Sequence, residues 1–280
     1  MLTNDDLKNI ATQVRRDLLR MIHAVNSGHP GGSLGCTDVI TCLYFSAMEH
    51  HPKFNMDGND EDIFFLSNGH LSAAWYSVLA RSGYFPVSEL ASFRKLNTRL
   101  QGHPTPAEHI PGVRMASGSL GQGMSNAIGT ALAKKLNKDT HLVYSLHGDG
   151  ELQEGQIWEA VMYAAAKKVD NLISIIDCNG KQIDGPVDEV LSLGDLPAKF
   201  TAFGWKVLEM NGNNIAEVID MLKIAKANTC KGQPIVILMK TEMGFGVDFM
   251  MGTHKWHGVA PNDQQLADAL AQLPVTLGDY

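Results

Sequence analysis

Two short stretches carry the residue types that could hold a metal ion and a phosphate. The first is HGDGELQEG at 147–155, with Asp149 between Gly148 and Gly150. The second is DCNGKQIDG at 177–185, with Asn179 just past an apolar run. Each alone reads as a common local feature, an Asp-Gly turn or a helix-capping Asn. Their spacing is more specific, because about thirty residues separate Asp149 from Asn179, one strand–helix–strand unit. Magnesium takes near-ideal octahedral oxygen ligation and usually keeps phosphates and waters among its ligands. One carboxylate, one amide oxygen and a loop carbonyl leave positions for two diphosphate oxygens. Gly150 would let the backbone approach the anion, and the following helix N-terminus offers it free N–H groups.

Histidines offer a second chemistry, since imidazole gains and loses protons near neutral pH. His29 lies in NSGHPGGSLG (26–35), His70 in LSNGH (66–70), His103 in LQGHP (100–104) and His257 in THKWHG (253–258). His50 and His51 read as a solvated helix end, and His109, His141 and His147 receive no role. His254 and His257 have a spacing that could suggest zinc, but no Cys or second His pair accompanies them. SGSLGQG at 117–123 is not a dinucleotide fingerprint, because its glycines depart from GxGxxG and no strand leads into it. Met243, Met250 and Met251 flank a glycine-rich loop and are expected to pack or to serve as a lid.

Loops of this kind need a frame. Short apolar runs at 63–66, 142–146, 172–177, 205–209 and 235–239 read as buried parallel strands. Helical patterns fall at 5–25, 37–48, 71–82, 122–136, 153–168, 214–228 and 263–272. The expected class is α/β, a parallel sheet with helices on both faces, and residues 1–280 read as a single domain. In such sheets ligands bind at the carboxyl ends of the strands, where both polar loops fall. Residues 97–119 carry three prolines and little periodicity, and a long irregular loop with this glycine and histidine content points to function.

Composition narrows the partners. Hydrophobic residues make up 44% and charged residues 19% of the 280, an ordinary globular balance. The net charge of −7, with no basic run, disfavours a nucleic-acid surface. The four cysteines are scattered, which reads as reduced thiols in a cytoplasmic protein. Nowhere do eighteen apolar residues run together, so no membrane span is expected.

The motifs, taken in order from about residue 5 to 262, resemble the transketolase family of thiamine diphosphate enzymes. The resemblance implies a thiamine-diphosphate-binding fold, the cofactor itself, and Mg2+, with Ca2+ or Mn2+ able to substitute. It implies that Asp149 and Asn179 ligate the metal by side chain and Lys181 by its backbone carbonyl. His70, Gly118, Ser119, Leu120, Gly150, Asn179 and His257 would line the cofactor. His29, His103 and His257 would face the reacting carbon and sugar hydroxyls. Glu154 corresponds to a buried acid that pairs with a partner's cofactor-activating glutamate. The activity implied is transfer of a two-carbon ketol unit between sugar phosphates, as in the pentose phosphate pathway.

The family's pyrimidine domain, with that glutamate and the sugar-phosphate grip, does not occur in these residues. The resemblance therefore points to the N-terminal subunit of a split transketolase, paired with a C-terminal subunit, two copies of each. SGSLGQG, in place of the proline-containing form of single-chain relatives, fits that branch, and Lys181 stands where many of those relatives have isoleucine. Two other readings stay open. One is a subunit of a keto-acid dehydrogenase or of a deoxyxylulose-phosphate synthase type of enzyme, against which the four histidine motifs count. The other is a non-catalytic cofactor-binding regulatory subunit, against which Asp149 and Asn179 count.

Overall fold

The structure, a computed structural model, describes residues 2–280. Helix α1 (Asn4–Ala24) opens on a capping box in which Thr3 and Asp6 satisfy each other's backbone N–H groups. Helix α2 (Pro30–Cys42) follows at once and ends in a wider π turn, Leu43–Ala47. Strand β1 (Ile63–Leu66) leads to α3 (Ser72–Arg81), and α4 (Gly123–Leu136) leads to β2 (Val143–Gly148). Helix α5 (Gly155–Ala166) precedes β3 (Leu172–Cys178), which runs into a small hairpin of β4 (Lys181–Gln182) and β5 (Gly185–Pro186). Short helices α6 (Val187–Leu191) and α7 (Leu196–Ala202) reach β6 (Lys206–Asn211). Helix α8 (Ile215–Asn228), β7 (Ile235–Lys240) and α9 (Asp263–Gln272) complete the chain.

The main sheet has the order β1-β2-β3-β7-β6, and every neighbouring pair is parallel. Its strands are largely apolar because both faces are covered. Phe64, Leu66, Ile173, Ile175, Ile235 and Ile237 point into a core shared with α1, α2, α3 and α8. Their alternates Ile63, Phe65, Leu172, Ile176, Val236 and Leu238 point into a second core with α4, α5 and α7. The order also explains which helix takes which face. The chain steps forward from β1 to β3, jumps to the far edge at β6, then steps back to β7. With right-handed crossovers, α4, α5 and α7, which close the forward steps, share one face and α8, on the backward step, takes the other; α3, also between β1 and β2, packs on the α8 face. The direction reverses between β3 and β7, the kind of place where such sheets bind ligands.

The parallel α/β class and the five main strands agree with the sequence reading, but several boundaries do not. The second helix starts at Pro30 rather than near residue 37. Gly31, Gly32 and Gly35 argue for a loop by propensity, yet packing overrides it. A Cβ on Gly31 would lie 2.6 Å from Met243 and 2.8 Å from the Trp256 carbonyl, so the helix needs small residues to sit this close. The hairpin and the helices α6 and α7 are too short to show a period in the sequence. Residues 97–119 stay irregular, apart from a 3-10 turn at Pro106–Glu108, but are tied to α3. Ser72 Oγ donates to the Gly102 carbonyl at 2.7 Å and the Tyr76 hydroxyl to the Gln101 carbonyl at 3.0 Å. Among the described residues no helix is long and apolar enough to cross a membrane.

The central strand β3 carries the sheet. Ile175 is fully buried there. Ile175→Ala is expected to lower unfolding free energy by about 2–5 kcal/mol, measured by urea denaturation.

Candidate active site

All loops leaving the carboxyl ends of the five strands emerge at one edge, and several of them enclose a cavity of about 370 Å3. The β2–β3 ladder sets its floor. Gly148 pairs with Asp177, and the Asp149 N–H continues the ladder to the Asp177 carbonyl at 3.1 Å. Asp149 then accepts from Gly150 N at 2.8 Å and from Gly180 N at 2.6 Å, which closes the first polar loop onto the second. Asn179 is oriented from both ends of its amide. Its nitrogen donates to Asp177 at 2.7 Å, and its oxygen accepts from Lys181 N at 2.9 Å.

This floor is rich in acidic groups. Burial and the adjacent Asp177 push Asp149 up to about 7. Asp177 is itself raised by burial, although Thr241, Cys36 and Asn179 hydrogen-bond to it. Two buried carboxylates without a cation oppose each other's ionisation, and a divalent ion would relieve that repulsion. The oxygen donors therefore fit a hard cation, and the buried Asn68 Oδ1, which has no partner among the described residues, borders the same cavity.

The opposite wall is a histidine cluster. His29 lies 5.0 Å from His70 and 5.7 Å from His257 between ring centroids, and His70 lies 5.3 Å from His257. Burial, then the neighbouring His257, Arg94 and His103, lower His29 to about 4. Burial also lowers His70, His103 and His257. At neutral pH these four rings are uncharged and can take up a proton. The Nδ1 atoms of His29 and His257 are buried without partners, so both rings keep a free polar atom. Gly118 is required here: it has φ +123°, and a Cβ would lie 2.9 Å from the His103 ring.

Of the residues singled out from the sequence, His29, His70, His103, Gly118, Leu120, Asp149, Gly150, Glu154, Asn179, Lys181 and His257 all border this one cavity. Ser119 does not; its hydroxyl instead accepts from Gln122 Nε2 at 3.2 Å, on the outer side of its loop. Glu154, expected as a buried acid, is exposed in this chain, because nothing here covers the start of α5. Met243 and Met250 are fully buried packing residues, whereas Met251 is exposed. His50 is no solvated helix end, since its ring contacts the Tyr84 hydroxyl at 2.9 Å and the Tyr44 carbonyl at 2.6 Å.

Sequence reasoning passes over Asp177 and Glu151. Asp177 is detectable as the one charge closing the apolar run LISIID. Glu151 is nearly fully buried and receives Ser67 Oγ, Gly121 N at 2.9 Å and Gly148 N at 3.1 Å. Burial opposes its ionisation, but His147, Ser67 and Gly121 outweigh that and hold its carboxyl below the usual range.

Comparison with known proteins agrees with this geometry. Residues 7–276 match the family model described as transketolase, thiamine diphosphate binding domain. The chain is 36% identical to an apulose-4-phosphate transketolase subunit of Actinobacillus succinogenes, over 97% of each chain. It is 37% identical to a 6-deoxy-6-sulfo-D-fructose transketolase subunit of a Clostridium species, over 96% of each. Among solved structures, the transketolase of Campylobacter jejuni superposes with a TM-score of 0.88 at 35% identity. That match covers 95% of this chain but 42% of the other, so the chain spans less than half of that protein's length.

Asp149→Ala removes a carboxylate from the cavity floor. Binding of thiamine diphosphate with magnesium is expected to weaken at least about tenfold, since a hydrogen bond to a charged group alone is worth about 1.5–3 kcal/mol. Calorimetry showing unchanged affinity would remove Asp149 from the metal site.

Proposed function

The chain belongs to the transketolase family through its thiamine diphosphate binding domain, and from that premise we propose that it is the diphosphate-holding subunit of a two-chain ketol transferase. On this reading residues 1–280 are one cofactor-binding domain acting in the cytoplasm. A complementary pyrimidine-domain subunit completes the site, with two copies of each chain. The observation that carries it is the two-walled cavity, carboxylates on one side and neutral histidines on the other. Relatives that this chain matches from end to end are named as transketolase subunits, which supports a partner chain. Those names give no support to a keto-acid dehydrogenase component or to a regulatory subunit.

In this reading Asp149 and Asn179 supply side-chain oxygens and Lys181 its carbonyl to a magnesium ion. Gly150 and the backbone around Gly118 and Leu120 leave room for the diphosphate. When bound, thiamine diphosphate would supply the stabilisation of negative charge on the ketose carbonyl carbon as the carbon–carbon bond beside it breaks. The chain's own residues then bind, orient and move protons. The ring centroids of His29, His70 and His257 lie within 5.7 Å of each other, so a sugar hydroxyl placed among them meets several neutral imidazoles. Each can take a hydroxyl proton and return it, which is the proton traffic that moving a ketol unit demands. His103, packed on Gly118, approaches from the side of the irregular loop. The donor and acceptor are read as a ketose phosphate and an aldose phosphate.

The exposed Glu154 supports a second subunit. It pairs, on this reading, with the activating glutamate of the partner, and docking would bury it. Obligate interfaces commonly bury more than about 2,000 Å2 and resemble a core cut in two.

Two measurements test the proposal. In a coupled ketol-transfer assay the purified chain should show no turnover alone and gain it when the second subunit is added. Robust turnover without a partner would overturn the split reading. In the assembled enzyme, His103→Ala should leave cofactor affinity intact and slow turnover by roughly 100- to 10,000-fold, the usual range for losing a general acid or base. An unchanged turnover number would place His103 outside the reacting centre.

A further inference from the structure

Arg94 stands one layer behind the histidines and does not border the cavity. Its backbone is left-handed, at φ 54°, a conformation that a side chain larger than glycine seldom takes. The Arg94 N–H donates to the Leu100 carbonyl at 2.8 Å, which fixes the turn from which the side chain reaches inward. There Nη1 donates to Ser27 Oγ at 2.8 Å, and Nη2 reaches the Gly102 carbonyl at 3.4 Å. Ser27 lies two residues before His29, and Gly102 immediately precedes His103. The approach to residue 102 is close enough that a Cβ there would lie 2.8 Å from the guanidinium carbon.

The charge itself is unusual. Arg94 is partly buried, its Nε is buried without a partner, and among the described residues no carboxylate pairs with it. A cation held away from water without a counter-charge is costly, and such groups concentrate at functional sites.

We propose that Arg94 is a positioning residue for proton transfer: its guanidinium ties the loop of His29 to the loop of His103 and sets an unpaired positive charge beside both rings. The inference rests on the proton-transfer role proposed above for those histidines. A fixed cation disfavours a second positive charge nearby, so both imidazoles stay neutral to lower pH. Burial lowers His103 first, and Arg94 lowers it further. Around His29, His257, Arg94 and His103 act in the same direction, and His70 packs against it. Gly118 packs on His103, and the opposing charge of Asp184 acts on His257.

Removing the charge raises the pKa of His103, so more of it is protonated at a given mildly acidic pH and activity is lost sooner as pH falls. Arg94→Gln keeps a donor for Ser27 and removes the charge, whereas Arg94→Lys keeps the charge and loses the fork. Diethyl pyrocarbonate modifies neutral imidazole, and peptide mass spectrometry of the full chain reads the pH midpoint at His103. Arg94→Gln is expected to raise that midpoint by about 0.5–1 pH unit, and Arg94→Lys to restore it. The acid limb of turnover in the assembled enzyme should move the same way. A midpoint equal to that of the parent, in Arg94→Gln protein shown to be folded by its melting curve, overturns the proposal. Ser27→Ala guards against loss of folding in the arginine variants. It cuts one tie and should lower turnover roughly threefold or more at unchanged cofactor affinity; unchanged turnover overturns the tie. A shifted midpoint in a pair of chains that transfers no ketol unit sinks the functional reading and leaves the electrostatic role of Arg94 standing. Ketol transfer with an unmoved midpoint does the reverse.

Discussion

A buried carboxylate holds the cavity's frame together. Glu151 lies in the turn after β2, and its two oxygens receive donors from three separate stretches of chain. Ser67 follows β1, Gly121 belongs to the segment leading into α4, and Gly148 ends β2 itself. The Ser67 hydroxyl also accepts from Gly123 N at 3.1 Å, so the same knot ties the start of α4 to β1. A carboxylate out of water survives ionised only when its lone pairs are met. That requirement runs both ways. Each loop supplies a donor that keeps the charge, and the charge fixes where each loop runs. Asp149 and Gly150 immediately precede Glu151 in the chain, and Gly118 lies three residues from Gly121. The candidate cofactor residues therefore inherit their placement from an acid that need not touch the cofactor.

The cavity opposes two electrostatic regimes. On the floor, burial acts on carboxylates and raises Asp149 and Asp177. On the wall, burial acts on imidazoles and lowers four histidines. The same desolvation drives both groups toward neutrality, by adding a proton to one and removing it from the other. A cation arriving at the floor would reverse the first effect, because it stabilises carboxylate anions. It would reinforce the second, because it opposes imidazolium. Metal binding and proton-accepting histidines are thus compatible demands, and one low-dielectric cleft meets both.

Much of this was legible from residue order, for a physical reason. A strand buried on both faces leaves a continuous apolar run, so β1, β2, β3 and β7 declare themselves, and their carboxyl ends mark where ligands bind. Glycine-flanked polar residues at those ends then identify the loops. What stayed hidden depends on tertiary contact. The start of α2 could not be read because Gly31 answers to Met243 and Trp256, more than two hundred residues away. Ser119 and Leu120 are neighbours in one motif, yet only Leu120 borders the cavity, since loop curvature decides which side chain turns inward. Asp177 and Glu151 escape a sequence reading because each lies beside a more familiar residue, and burial, which gives them their influence, is not written in the local sequence. Arg94 is invisible for the same reason, since its partner Ser27 belongs to the distant loop before α2.

One end of the cleft is floored by buried carboxylates and the other carries exposed apolar side chains. Ile183 is 61% exposed and Val259 55% exposed, both lining the mouth beside His257. Exposed apolar side chains at the rim of a polar site gain from being covered, at roughly 25 cal/mol per Å2 of apolar surface removed from water. Proton transfer among neutral imidazoles gains as well, because bulk water would compete for every hydroxyl placed there and weaken each electrostatic contact. Glu154 stands exposed where it borders the cavity, and an acid has reason to be there if the covering surface brings a group to meet it. Apolar rim and unanswered acid thus ask for the same thing, a covering protein surface.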